Sequence, residues 1–175
     1  MRSLARRLGL VLLLGSCAVS WTACEASEPA IAPGEPWPAG LPRPADVAEA
    51  QAQKASGATW TDRQVRQFYL ERVAAIGPAD AALVAAGKTA EERARAAFTA
   101  RHDARMTARA MMQDAAMVEQ LRARDREKYG TSDGPTFEFL LEKAKAKGLV
   151  GDDAYQSIVD SAQRTDVATN RSMGF

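Results

Sequence analysis

His102 and Asp103 stand first among the residues whose types could do chemistry, because imidazole titrates near neutral pH and His102 is the chain's single histidine. Adjacent helical residues point to different faces, however, and no serine or cysteine nucleophile stands beside the pair. No serine of the chain sits in a G-x-S-x-G elbow, the strand–turn–helix device that exposes a nucleophile. Acid–base catalysis would therefore need carboxylates folded in toward His102 from elsewhere, and solvation or capping is the simpler role for it.

Arg101, Arg105 and Arg109 recur at i, i+4. Like charges so spaced repel by about a few tenths of a kcal/mol per pair on an isolated helix, so something must compensate the row. One compensation is internal, through acids such as Glu71, Glu142 or Asp160. The other is an external anion, a phosphate or a partner's carboxylates, for which the guanidinium fork is well shaped. The three arginines are thus candidate contacts to an anionic partner.

Other groupings have simpler explanations. Met106, Met111, Met112 and Met117 could form an adaptable binding surface, but helical methionines more often fill a core. Arg122 to Lys128 mixes charges that pair at i, i+3, Glu119 with Arg122 and Asp125 with Lys128, as on a solvated face. Asp152, Asp153 and Asp160 lack the D-x-[DN]-x-[DN]-G calcium pattern, and carboxylates at a helix start are explained by capping and the helix dipole. No glycine-rich phosphate loop is present, and the only cysteines are Cys17 and Cys24. Residues 46–175 therefore have no disulfide framework or thiolate metal site, and the expectation is neither metal nor cofactor.

These residues need helices to position them. Thr61-Asp62-Arg63-Gln64 has the form of a capping box, and Val65, Phe68, Tyr69, Val73 and Ile76 follow at helical spacing. Gly77-Pro78 breaks that helix, and Pro78 suits the first turn of a short one to Ala86, ended by Gly87. Thr89-Ala90-Glu91-Glu92 is a second capping box, after which no Gly or Pro occurs before Gly130. The stretch predicts one helix of about forty residues, ~60 Å long, or two in series. Its stripe of Ala94, Ala97, Phe98, Ala104, Ala108, Met111, Met112, Ala115, Val118 and Leu121 is rich in small residues that let neighbouring helices approach closely. Thr131 to Pro135 is a dense turn signal. A helix over 136–147 with Phe137, Leu140 and Leu141 inward follows, and then a last one through Tyr155, Ile158, Val159 and Ala162. Arg164 to Phe175 reads as frayed, and Asp46 to Ser56 is helix-prone without a clear apolar stripe. The expected fold is all-α: a small bundle of four or five helices with one long central helix, its ordered core at about 61–163.

The front end differs in kind. Met1 to Arg7 carries three arginines and no acid, Leu8 to Leu14 is apolar, and Gly15 and Ser16 are small. Those are the three parts of a secretory signal, and the run is shorter than the ~20 apolar residues of a spanning helix. Leu14-Gly15-Ser16-Cys17 resembles the lipobox of bacterial lipoproteins. That resemblance implies removal of residues 1–16, diacylglycerol on the Cys17 thiol, and an acyl chain such as palmitate on its new amine. Each buried CH₂ then holds the protein to the bilayer by about 0.8 kcal/mol. Cys24 is a second candidate anchor, and plain cleavage after Ser20 is a third outcome. Ala18 after Cys17 resembles the outer-membrane sorting pattern, in a cell with two membranes. Six prolines between Pro29 and Pro44 then make residues 17–45 an extended linker at ~3.1 Å per residue.

Loss of Arg2, Arg6 and Arg7 lowers 23 basic residues to 20 against 22 acidic, a net charge of −2. That balance argues against nucleic acid as a partner, since such binders carry a strongly basic domain or stripe. The expectation is a membrane-anchored envelope protein without an assigned activity, a protein-interaction or inhibitory module more readily than an enzyme. The alternative is an exported enzyme or toxin using His102 with nearby carboxylates.

Overall fold

The computed structural model describes residues 35–165, and within them the fold is all-helical. The signal-like segment, both cysteines and Asp166 to Phe175 lie outside the described residues. Seven helices follow in order, where four or five were expected: α1 Val47–Ala55, α2 Asp62–Ala74, α3 Ile76–Ala85, α4 Ala90–Met111, α5 Ala115–Tyr129, α6 Phe137–Lys145 and α7 Asp152–Gln163.

Local chemistry accounts for most of the boundaries. Both capping boxes form: Thr61 with Gln64 opens α2, and Thr89 with Glu92 opens α4. In each, a hydroxyl and a side chain three residues on satisfy end donors that the helix cannot. Asp46, Asp114 and Thr136 cap α1, α5 and α6 through single side-chain bonds.

The long Gly- and Pro-free stretch is two helices in series. Met112 leaves the helical region at ψ 134°, and Asp114 accepts from the Met117 amide to start α5 anew. Lys54 of α1 donates to the freed Met112 carbonyl at 2.5 Å, and the Met112 side chain is buried. Tertiary contacts thus hold a break that carries neither helix-breaking residue.

Helix α4 is central and packs against α1, α2, α3 and α7. Ala94, Ala97, Ala104 and Ala108 line its buried face, so neighbouring backbones come close. Val65, Phe68, Tyr69 and Val73 of α2, with Ile158 and Val159 of α7, fill the space around it. Burying a large apolar side chain contributes about 1.5–3 kcal/mol, so these few residues dominate the core. On the expected stripe Leu121 is buried, whereas Ala115 is exposed. Arg93 of α4 grips Asp80 of α3 through Nε and Nη2, both at 2.7 Å, and reaches Gln156 of α7.

The second half of the proline-rich segment is part of this fold. Trp37 lies against Phe68 with ring centroids 6.2 Å apart, and its indole donates to the Leu41 carbonyl at 2.7 Å. Gln64 donates to the Pro36 carbonyl, Arg72 donates to those of Pro44 and Ala45, and Pro44 is fully buried. Prolines exclude regular hydrogen bonding but not docking: side chains of α2 satisfy the carbonyls, and the rings bury apolar area. Residues from Glu35 onward, in the segment read as a linker, thus pack on the helices. Helix α1, which lacked an apolar stripe, buries one residue, Ala50, in the shared core and reaches Met112 through Lys54.

Candidate functional site

The three arginines leave α4 on one side and meet three different surroundings. Arg101 turns to the end of α7, where its Nη1 donates to the carbonyls of Ser161, Ala162 and Arg164 at 3.3, 2.6 and 2.7 Å. A cation on a helix C-terminus satisfies carbonyls that have no partner within the helix and complements the negative end of its dipole. Arg109 is 3% exposed and donates to Asp125 of α5 at 2.6 Å and to the Ser132 carbonyl at 3.1 Å. Asp125 is itself 4% exposed. Arg109 is therefore an internal clamp that holds α5 and the following turn to α4, closed to an external anion.

The acids expected to serve the row are engaged elsewhere: Glu71 pairs with Arg43, Glu142 with Lys145, and Asp160 accepts from Gln156. Asp125 and Glu119, expected to pair with Lys128 and Arg122, pair instead with Arg109 and Arg126. Glu119 reaches Arg126 two turns on within α5, whereas the Arg109–Asp125 pair crosses from α4 to α5, where spacing along one helix gives no guide.

Arg105 lies between the two clamps. Its Nε is sealed from solvent without a hydrogen-bond partner, and no ion pair to it occurs among the described residues. Burial holds its guanidinium below the usual arginine range. Tyr69 and Asp125 push the other way, while Arg109 and Arg101 add to the lowering. The turn after α5 passes directly over it. Gly134 is buried with φ +98°, and a Cβ there would collide with Arg105 Nη1. Only glycine allows both that backbone conformation and that approach.

Arg105 forms one wall of a pocket of about 250 Å³ between α4, the end of α5, α6 and the end of α7. Arg101, Lys128, Lys143 and Arg164 also line it, with His102. No aspartate or glutamate does. Phe98, Tyr129 and Phe139 supply aromatic surface. Phe139 is 36% exposed and meets Tyr129 edge-on, with centroids 5.1 Å apart. His102 stacks on Phe98 at 6.0 Å, and its Nδ1 lies 3.4 Å from Asp103, whose side chain is mostly exposed. The chain matches no protein family, no curated protein and no solved structure. The site must be read from its own geometry.

That geometry concentrates positive charge in a concavity with apolar walls, where a bound anion loses less of each interaction to solvent screening than on a convex face. Of the expected contacts, Arg101 and Arg105 are in the pocket and Arg109 lies behind it. Lys128, Tyr129, Phe139, Lys143 and Arg164 went unrecognised in the sequence. The signal they left was thin: a positive row without acids of its own, and the glycine of a dense turn. Met111 and Met112 are buried core residues, as helical methionines usually are. Among the described residues no His, Cys, Asp and Glu group could hold a metal ion.

Proposed function

We propose that the protein is an envelope binding module, tethered by lipid on Cys17 and carrying on its helical domain a basic pocket for an acidic partner. The observation that carries the binding role is the pocket at Arg105: five cationic side chains and a histidine line it, and no carboxylate does. An enzyme working through His102 would need acids converging on the imidazole. The neighbouring acid, Asp103, is an exposed residue of the same helix. The reading as a binding module, more readily than an enzyme, rests on that contrast.

The tether rests on the first seventeen residues, whose basic start, apolar run and Leu14-Gly15-Ser16-Cys17 resemble a lipoprotein signal. No helix among the described residues is long and apolar enough to cross a membrane. Acyl chains on Cys17 would hold the protein by about 0.8 kcal/mol per buried CH₂. In a cell with two membranes, Ala18 favours the outer one, with the domain in the periplasm or at the surface.

Two measurements test the reading. Radiolabelled palmitate should enter the wild-type chain and not Cys17→Ser; label retained through Cys24 would move the anchor, and none at all would remove it. Affinity capture from the native envelope should recover a partner with wild type and lose it with Arg105→Gln, Lys143→Gln. Equal recovery by both would remove the pocket from the binding role.

A further inference from the structure

Three cations at the pocket have no carboxylate among the described residues: Arg105 of α4, Lys128 of α5 and Lys143 of α6. Lys128 lies over the Tyr129 ring, 5.1 Å from its centroid, and makes no ion pair there. Arg101, by contrast, is occupied by α7 carbonyls. The pocket therefore holds one half-buried planar fork, two exposed lysines and an aromatic wall.

We infer that it takes an acidic peptide segment of a partner protein, one carboxylate on the Arg105 guanidinium and a neighbouring apolar side chain against Phe139 and Tyr129. This rests on the proposed role as a binding module and names the chemistry of the partner.

The extent of the basic surface favours a peptide over a free phosphate. The pocket runs on, across Leu140, Lys143, Ser161 and Arg164, into a cleft of about 630 Å³ between α6 and α7. Lys147 continues the basic edge of that cleft, while Asp153 and Asp160 line it too and would set where the acids of a bound segment lie. A path of this kind accommodates an extended chain, which a small ion does not need.

The test uses the full chain in detergent and a fluorescein-labelled pentapeptide with a central phenylalanine flanked by glutamates. Its glutamine counterpart serves as control, and inorganic phosphate as competitor. Anisotropy should show the acidic peptide binding at least about tenfold more tightly than the glutamine one, the loss expected when a charged hydrogen-bonding partner is removed. Arg105→Gln should weaken it by about the same factor. Gly134→Ala, which keeps every charge but displaces the guanidinium, should weaken it in the same direction, and Lys143→Gln less so.

Equal binding of the two peptides would overturn the assignment. So would unchanged affinity in both Arg105→Gln and Gly134→Ala with the helical circular dichroism retained. Displacement by phosphate at or below the peptide's own concentration would make the pocket a phosphate site instead. If Arg105→Gln does not fold, Gly134→Ala and Lys143→Gln decide. Peptide binding that survives every pocket substitution overturns this inference alone, whereas envelope capture indifferent to the pocket overturns the broader role.

Discussion

Arg109 and Arg105 stand one turn apart on the same helix and end in opposite states. Arg109 is buried against a buried carboxylate and a turn carbonyl. Arg105 is half-buried at a pocket wall and forms no ion pair among the described residues, although the Nε of each arginine is sealed without a hydrogen-bond partner. The residue type, the spacing and the helix are shared, so the difference comes from what the rest of the fold brings opposite. For Arg109 it is Asp125 of α5; for Arg105 it is Gly134, a residue with no side chain. A charge met by its complement stabilises the fold. The Arg105 charge lies beside a glycine, in a pocket that no carboxylate lines.

The largest break in that comparison should come at the clamp. Asp125→Ala leaves Arg109 charged and buried, and should cost about 3–5 kcal/mol in chemical denaturation, because the desolvated partner stays behind. Asp125→Leu with Arg109→Met should recover most of the loss; a double variant as unstable as the single would mean that the clamp does more than neutralise charge.

Next, Gly134→Ala should lower stability by about 1–2 kcal/mol, the cost of forcing a side chain into left-handed backbone, while helical content remains. A smaller loss would mean that the turn relaxes without disturbing Arg105.

Arg105→Met should leave stability within about 1 kcal/mol of wild type or raise it, since it removes a desolvated cation that forms no ion pair and feels Asp125 only at a distance. A loss as large as that of Asp125→Ala would erase the distinction between the two arginines. The clamp is shielded and the pocket open, so raising salt should weaken peptide binding while hardly changing the stability difference between Asp125→Ala and wild type.

The smallest effect belongs to an exposed carboxylate, a reference for both. Glu92 is held down to about 2 by Lys88 first and by the Thr89 backbone and hydroxyl after it. Its folded value lies below the ordinary 4.5, so the stability it adds is present above pH 4.5 and is lost as pH falls through about 2. Glu92→Gln should lower stability slightly at neutral pH and flatten the acid side of a thermal-unfolding profile, the two proteins converging as pH falls through about 2. A neutral-pH loss approaching that of Asp125→Ala would place Glu92 in the structural framework and end its use as the exposed reference.

Legibility in the sequence followed the range of the interaction. Thr61 with Gln64 and Thr89 with Glu92 satisfy each other within one turn, so both helix starts could be read without knowing the fold. The all-helical class, the short helix through Pro78 and the inward face at Phe137 came from the same local logic. The break at Met112 and the docking of Trp37 on Phe68 depend on groups far along the chain, Lys54 in the first case and α2 in the second. Two helices in series and a Trp37 packed on its own domain were both open readings of the sequence, but neither the position of the break nor the partner ring could be read locally. Asp125 shows the limit plainly: a carboxylate within a run of charges, to all local appearance solvated, it is the most deeply buried acid among the described residues.

By itself, then, the sequence determined a helical body behind a basic, apolar front end, because helix propensity, capping and hydrophobicity act over a few residues. It also marked the arginine row as uncompensated within its own helix. Only the tertiary structure decided which arginine is neutralised and which faces a pocket, since that depends on the side chains that packing brings within a few ångströms of each guanidinium. Electrostatic energy falls with distance in space and rises with desolvation, and separation along the chain fixes neither.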